Sequence, residues 1–336
     1  MNAPRDPFIP FETDRVFIGG EWQPGASGET LALEDPSDGS ELARIARGGA
    51  ADINAAVGAA RAALEGGGAN AWGRMAALER GRVLSAIARK VLENVELLAR
   101  LEVHDVGKPL KQARADAVAL ARYFEFYGGA ADKVHGQTLP FASGYTALTL
   151  REPHGVTGHI VPWNYPMQIV GRSVGAALAM GNACVLKPAE EACLTVLAFA
   201  RIAAEAGLPP GALNLVPGLG EEAGAALAAH PDVNHISFTG SVATGALVQI
   251  AAARNAVPVR SSSAARARRS SSPTPTSTPR CPSSSTPESR TPARRARRRR
   301  ASSSSGRCSR PCARRWPSAT GRFAPGRQRA TSTSAR

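Results

Sequence analysis

VTGHIVPWNYPMQIVGRSVGAALAMGNACVLKP (residues 156–188) is the stretch on which the fold turns. A short run rich in Val and Ile gives way to a Pro-Trp-Asn-Tyr-Pro turn. An apolar segment with Gly at close-packing positions follows, and then a second short run, ACVLKP. This is strand, helix, strand. The pattern continues downstream. CLTVLAFARIAAEAG (193–207) reads as a helix, ALNLVPG (212–218) as a strand and EEAGAALAAH (221–230) as a helix. VNHISFTG (233–240) reads as a strand and ATGALVQIAAA (243–253) as a helix. Strands alternating with helices demand a parallel sheet covered on its faces, because a crossover between parallel strands has room only for a helix packed back on the sheet. The fold class is α/β, a doubly wound parallel sheet. In such sheets ligands meet the carboxyl ends of the strands. Those ends carry Pro162-Trp163-Asn164, Lys187-Pro188-Ala189-Glu190, Pro217-Gly218 and Thr239-Gly240-Ser241.

Upstream, RVFIGGEWQ (15–23) alternates about a Gly-Gly turn and predicts a hairpin. DPSDGSELARIARG (35–48) is turn chemistry followed by a short strand. AADINAAVGAARAAL (50–64) has helical apolar spacing. ALERGRVLSAIARKVLENVELLARLEVHDVG (77–107) reads as one long helix, with Leu84, Ile87, Val91, Val95 and Leu98 on one face and Gly107-Lys108-Pro109 as its stop. KQARADAVALARYFEFYGGAADKV (111–134) is a further amphipathic helix, and YTALTLREPHGVTGHIVP (145–162) reads as two strands around a turn.

The chain has 336 residues and a net charge of +14, yet that charge is unevenly placed. Residues 260–336 hold 20 Arg, no Lys and one acid, Glu288, for a net +19, which leaves −5 for residues 1–259. The same segment has no Leu, Ile, Val, Met or Tyr. Such a composition buries too little apolar surface to offset chain entropy, so residues 260–336 are expected to form a disordered Arg/Ser/Pro-rich tail beside an ordered region 1–259. The start, MNAPRDPFIPFETD, lacks an apolar run of the secretory kind, and the longest apolar stretch (169–186) is interrupted by Arg172 and Asn182. A cytoplasmic protein without membrane spans is expected. Of five Cys, Cys184 and Cys193 sit in apolar settings and Cys281, Cys308 and Cys312 in the tail, with no spacing that completes a metal site or a disulfide framework.

Alone, GSVATG (240–245) is neither a Walker loop nor GxGxxG. It reads equally as a helix N-terminus facing a pyrophosphate or as a helix capped by Thr239 or Ser241, with Gly for tight packing. Four segments in order are more specific: VPWNYPMQ (161–168), GNACVLKPAE (181–190), AGLPPGALNLVPG (206–218) and ISFTGSVATG (236–245). Together they resemble the NAD(P)-dependent aldehyde dehydrogenase superfamily over roughly residues 15–259. The resemblance implies oxidation of an aldehyde to a carboxylic acid through a Cys thiohemiacetal and thioester. It implies that Asn164 donates its amide to the oxyanion, a large catalytic term where charge develops. Val161, Pro162 and Trp163 would line the cofactor cleft, and Lys187 and Glu190 would hold the adenosine ribose hydroxyls. A carboxylate there disfavours a 2′-phosphate and so favours NAD over NADP. Gly220, Gly240, Ser241 and Gly245 would surround the adenosine and pyrophosphate. The alternatives are a turn role for Asn164, core packing for Trp163 and a solvated ion pair for Lys187 and Glu190. The family is usually homo-oligomeric.

The resemblance stops where the language changes. The family continues into a TLELGGK-type segment with the general-base Glu and then a GQTC-type segment with the nucleophilic Cys; neither is written here. Back-translation offers an explanation. RSSSAAR (260–266) can be encoded so that one restored nucleotide gives TLELGGK. PTPTSTP (273–279) then contains DADLDA, and ESRTPARRAR (288–297) gives IQNAGQTCS. The lost Glu codon straddles Ser261 and Ser262 and the lost Cys codon Arg295 and Ala296, 34 codons apart and in the family's order. The expectation is a one-nucleotide frameshift near Val259 and a chain without activity. The alternative is an NAD-binding pseudoenzyme whose basic tail binds nucleic acid non-specifically.

Overall fold

The computed structural model describes residues 9–66 and 71–263. The tail beyond Ser263, with Cys281, Cys308 and Cys312, lies outside the described residues.

A seven-stranded sheet forms the centre. Its parallel part comprises β7 (Val156–Ile160), β8 (Ala183–Lys187), β9 (Leu213–Leu215), β10 (His235–Gly240) and β11 (Val259–Ser263). The spatial order is β11-β10-β7-β8-β9, so the chain winds outward from β7 through β8 to β9. It then returns to the other side of β7 for β10 and β11. The direction of winding reverses between β7 and β10, which is the doubly wound arrangement expected. Right-handed crossovers then put α5 (Pro166–Ala179) and α6 (Leu194–Glu205) on one face, and α7 (Ala225–Ala229) and α8 (Val242–Ala253) on the other. The hairpin of β1 (Arg15–Ile18) and β2 (Glu21–Pro24) extends the sheet antiparallel to β9.

The amino-terminal helices complete the layers. α1 (Ala50–Glu65) packs over β8 and β9 and touches α7, while α2 (Ala77–Glu93), α3 (Val95–Val106) and α4 (Leu110–Ala130) gather against α5 and α6. Leu84, Ile87, Val91 and Leu98 are fully buried, as their spacing predicts, with Val95 partly buried beside them. Gly107 ends α3 at φ +73°, a left-handed value that costs a residue without Cβ little.

Three side-chain amides pin the amino ends of the parallel strands. Asn234 Oδ1 accepts from the Val156 N–H at 2.9 Å, and Asn182 Oδ1 accepts from the Gly155 N–H at 3.1 Å. Asn214 accepts from Gly19 N–H at 2.9 Å and donates to Gly211 O at 2.8 Å, tying β9 to the β1–β2 turn. Buried or half-buried amides used this way satisfy backbone groups where ladders begin.

The structure corrects several expectations. The long helix predicted over 77–107 is two, broken at Asn94 (φ −108°, ψ 16°), whose side chain donates back to Lys90 O at 2.8 Å and so competes with the helix ladder. A strand not foreseen, β3 (Thr30–Glu34), pairs antiparallel with β4 (Glu41–Ala46). The strand expected before β7 is β6 (Ala147–Thr149), but it pairs with β5 (Gln137–Leu139) in a separate ribbon, not with β7. The helix read over 221–230 begins as a π-turn, Gly220–Gly224, before α7. Last, the change of language at Arg260 does not end the sheet. β11 pairs Val259 to Ser263 in register with Ile236 to Gly240. Parallel pairing uses peptide groups alone, so exposed Arg and Ser side chains at an edge do not prevent it. Among the described residues no helix is long and apolar enough to cross a membrane.

Candidate active site and cofactor cleft

The carboxyl ends of β7, β8 and β10 form one rim. β7 ends in a tight passage that begins with buried Val161, whose N–H donates to Lys187 O at 3.0 Å. That bond fixes the take-off of Pro162, Trp163 and Asn164 against β8. Trp163 is 56% exposed, so its indole is not core packing, and Asn164 is exposed beside it. Pro166 then opens α5 at a first-turn position, where its missing N–H costs nothing.

Lys187 closes β8 and is buried, with only 3% of its side chain exposed. Its Nζ meets Glu190 Oε2 at 2.5 Å, and the other carboxylate oxygen accepts weakly from Gly220 N–H at 3.4 Å. Partial burial pushes the Glu190 carboxyl upward, but the Lys187 hydrogen bond and charge outweigh it, and the group titrates below its ordinary range. The carboxylate is therefore ionised at neutral pH and presents acceptor oxygens at the rim. This is not a solvated surface pair, because the ammonium is inside.

Trp163, Glu190, Glu191 and Leu219 share a cleft of about 610 Å³ with β3 and the end of α3. Gly240, Ser241, Gly245 and Asn164 do not line it. Ser241 caps α8: its Oγ accepts from Thr244 N–H at 3.1 Å. A Cβ at Gly240 would lie 2.6 Å from Phe238 Cζ, and one at Gly245 would lie 3.2 Å from Phe238 Cε1. Both glycines let the Phe238 ring close under the turn, so tight packing accounts for them without a ligand. Capping by Ser241 was one of the two sequence readings of this motif.

Two thiols can be placed. Burial pushes Cys184 up to about 12, against an opposing contact from the Thr157 hydroxyl at 3.6 Å. Burial, reinforced by the Asp105 charge, raises Cys193 well above its ordinary value. Neither supplies a thiolate near neutral pH. Among the described residues no group of three or more His, Cys, Asp or Glu side chains could hold a metal ion.

One cluster escaped sequence reasoning. Lys108 Nζ lies between the buried carboxylates of Glu102 (2.9 Å) and Asp116 (2.7 Å). Asp116 also accepts from Gln112 and from Gln168 on α5. The residues come from three helices and a turn, and no linear motif announces them.

Residues 22–263 match the family described as aldehyde dehydrogenase. The chain belongs to that family. It is 46% identical over 231 residues to the hydroxyisobutyraldehyde dehydrogenase of Mycolicibacterium austroafricanum, covering 68% of this chain and 45% of that one. Among solved structures, a Burkholderia cenocepacia protein assigned to the aldehyde dehydrogenases is 66% identical, with a TM-score of 0.72 over 74% of this chain and 51% of the other. An NAD+ complex of the Bacillus cereus aldehyde dehydrogenase is 38% identical, with a TM-score of 0.73 over 78% and 54%. The chain spans about half the length of the curated relatives it matches.

Proposed function

We propose that residues 1–259 are the amino-terminal and NAD-binding region of an enzyme that oxidises an aldehyde to a carboxylic acid. The observation that carries this reading is the Lys187–Glu190 pair: a buried ammonium holding an ionised carboxylate at the rim of β8, next to the Gly220 N–H. A vicinal diol needs such a set, since each hydroxyl can donate to the carboxylate and accept from the ammonium. The same carboxylate repels a 2′-phosphate, so NAD is preferred over NADP. Val161, Pro162 and Trp163 form the neighbouring wall, and Gly220 a turn facing the cofactor. The Gly240-Ser241 turn and Gly245 lie outside that cleft, where packing on Phe238 and the α8 cap account for them, and facing the pyrophosphate is a second role in this reading. Bound there, NAD supplies a two-electron acceptor. Asn164, exposed after β7, donates its side-chain amide to the oxygen that gains charge as a nucleophile adds to the aldehyde.

The chain as written carries the binding half of this chemistry without its nucleophile or base. Cys184 and Cys193 are buried with raised thiols, and the remaining Cys lie in the tail sequence, away from any GQTC-type context. The codon register places the lost Glu at Ser261 and Ser262, in β11 alongside Phe238 and Thr239 at the carboxyl end of β10. Residues 260–336 are, on this reading, an out-of-frame translation, not a nucleic-acid-binding arm.

Calorimetric titration of the purified chain tests the first part. NAD binding tighter than NADP binding is expected, and equal or reversed affinities would overturn the ribose assignment. No NADH absorbance should develop with aliphatic, aromatic or betaine aldehydes; saturable turnover would refute the loss of the nucleophile. Sequencing the source DNA across codons 250–300 tests the second part. Family codons one base out of register are expected, and their absence would return the tail to study as a real basic segment.

A further inference from the structure

We propose that Lys108 is a positioning residue for the Asn164 loop, acting through the ring of Tyr165. Lys108 sits in the Gly107-Lys108-Pro109 turn between α3 and α4, where the left-handed Gly107 and the fixed φ of Pro109 define its backbone. Its Nζ is held by two carboxylates that are almost wholly buried, Glu102 and Asp116. The same Nζ stands 3.9 Å from the centroid of the Tyr165 ring. A desolvated ammonium over an aromatic face is attractive well beyond area burial. Tyr165 follows Asn164 directly and is the residue from which α5 starts, its carbonyl accepting the Ile169 N–H at 3.0 Å.

A second tether lies one turn on. Gln168 donates to Asp116 Oδ1 at 2.6 Å, and Gln112 donates to the same oxygen at 2.8 Å. The Asn164 loop is thus bound to α4 and the α3–α4 turn at positions 165 and 168, in addition to the Val161 bond to β8. Asn164 itself is exposed, and its direction follows from the residues on either side. An amide that must meet a developing charge needs such outside support, because donors stabilise a transition state only if they need not reorganise. The charges serve geometry here: two carboxylates fix the ammonium, the ammonium fixes the ring, and the ring fixes the loop.

This inference rests on reading Asn164 as the oxyanion donor, but its test needs neither NAD nor aldehyde, so failure of either one shows separately. Lys108→Met and Tyr165→Leu would be made in the full chain. Lys108→Met leaves two buried carboxylates facing one another and risks unfolding. Tyr165→Leu leaves the charge cluster intact and removes only the ring. Hydrogen exchange would be followed at the Ile169 amide, which bonds to Tyr165 O, and at the Val161 amide, which bonds to Lys187 O. Nitrogen relaxation would report the order of the Asn164 side-chain amide. Tyr165→Leu should speed Ile169 exchange by about tenfold or more and lower the order of the Asn164 amide, while Val161 keeps its rate. Lys108→Met, if folded, should do the same. Unchanged Asn164 order in Tyr165→Leu, or equal acceleration at Ile169 and Val161, would overturn the proposal.

Discussion

The two halves of the sheet are written in the same style and end in different states. On one side of the switch point, β8 is buried at every position and α6 is buried along nearly its whole length. On the other, β10 alternates between buried and partly exposed residues, and α8 buries only Gly245, Val248 and Ala252. LTVLAFARIAAE and VATGALVQIAAA have similar apolar content, yet Val242, Leu247 and Ile250 of the second face outward. Apolar composition makes an element eligible for a core, whereas the neighbours available decide whether it enters one. Large apolar side chains grouped on one helix face are also more informative than scattered ones. The helix that carries them packs its Gly245 face beside β11, where the family resemblance in the sequence stops.

Deletions of matched size would sharpen the contrast most. Leu197→Ala, in fully buried surroundings on α6, should cost about 2–5 kcal/mol in urea denaturation. Leu247→Ala, 67% exposed on α8, should change stability by less than about 0.5 kcal/mol. A large loss at Leu247 would mean that α8 is covered in solution and that the two halves are alike after all.

The next contrast is electrostatic. His159 on β7 is completely buried, and burial, helped by His235, depresses its pKa to about 3. The folded state then binds its proton only below about 3, and the unfolded chain already near 6.5. Below about 6.5 the unfolded state holds the extra proton, so stability falls as pH drops through that window to about 3. Glu102 behaves oppositely. Burial raises it to about 7, so the fold keeps a proton the unfolded chain has lost, and stability falls as pH rises from about 4.5 to about 7. Urea midpoints across pH 3–8 should therefore lose part of their acid-side slope in His159→Gln, with His230 and His235 also lowered by burial, and part of their neutral-side slope in Glu102→Gln, where buried Asp105, raised to about 8, acts in the same direction.

At the rim, Glu190→Gln keeps shape and removes charge. NAD affinity should fall by about tenfold, roughly 1.4 kcal/mol, and the preference over NADP should shrink. The corresponding Ser241→Ala on the α8 side should cost about 1 kcal/mol of stability through the lost cap, with a smaller effect on affinity, since the hydroxyl is already used within the helix. One change is expected to stabilise, on the exposed face of α1. Gly58→Ala, in α1 with open space around the added Cβ, should stabilise by about 0.5–1 kcal/mol.

These contrasts also show what the sequence could yield. The alternation after residue 156 gave the parallel sheet, because period and punctuation there agree: Gly and Pro fall between elements and apolar runs within them. The Lys187–Glu190 pair was legible for the same reason, lying within one turn of a strand end. What failed was anything decided at a distance. Asn94 interrupts a helix without interrupting its apolar stripe, so periodicity passes over the break. β6 has strand character, but its partner β5 is another short exposed strand that the sequence does not mark. The Lys108 cluster draws Glu102, Asp116 and Gln168 from three helices, and only the packing of α3, α4 and α5 brings them to one point.

The amides of Asn182, Asn214 and Asn234 carry one more consequence. They stitch the sheet where its parallel strands start, whereas at the rim one weaker contact of this kind, Glu190 with the Gly220 N–H at 3.4 Å, joins the turns after β8 and β9. The sheet is built like a fan riveted at the handle. With firmer side-chain rivets at the handle than at the rim, amide exchange is expected to be slower at Gly155 and Val156 than at Gly240.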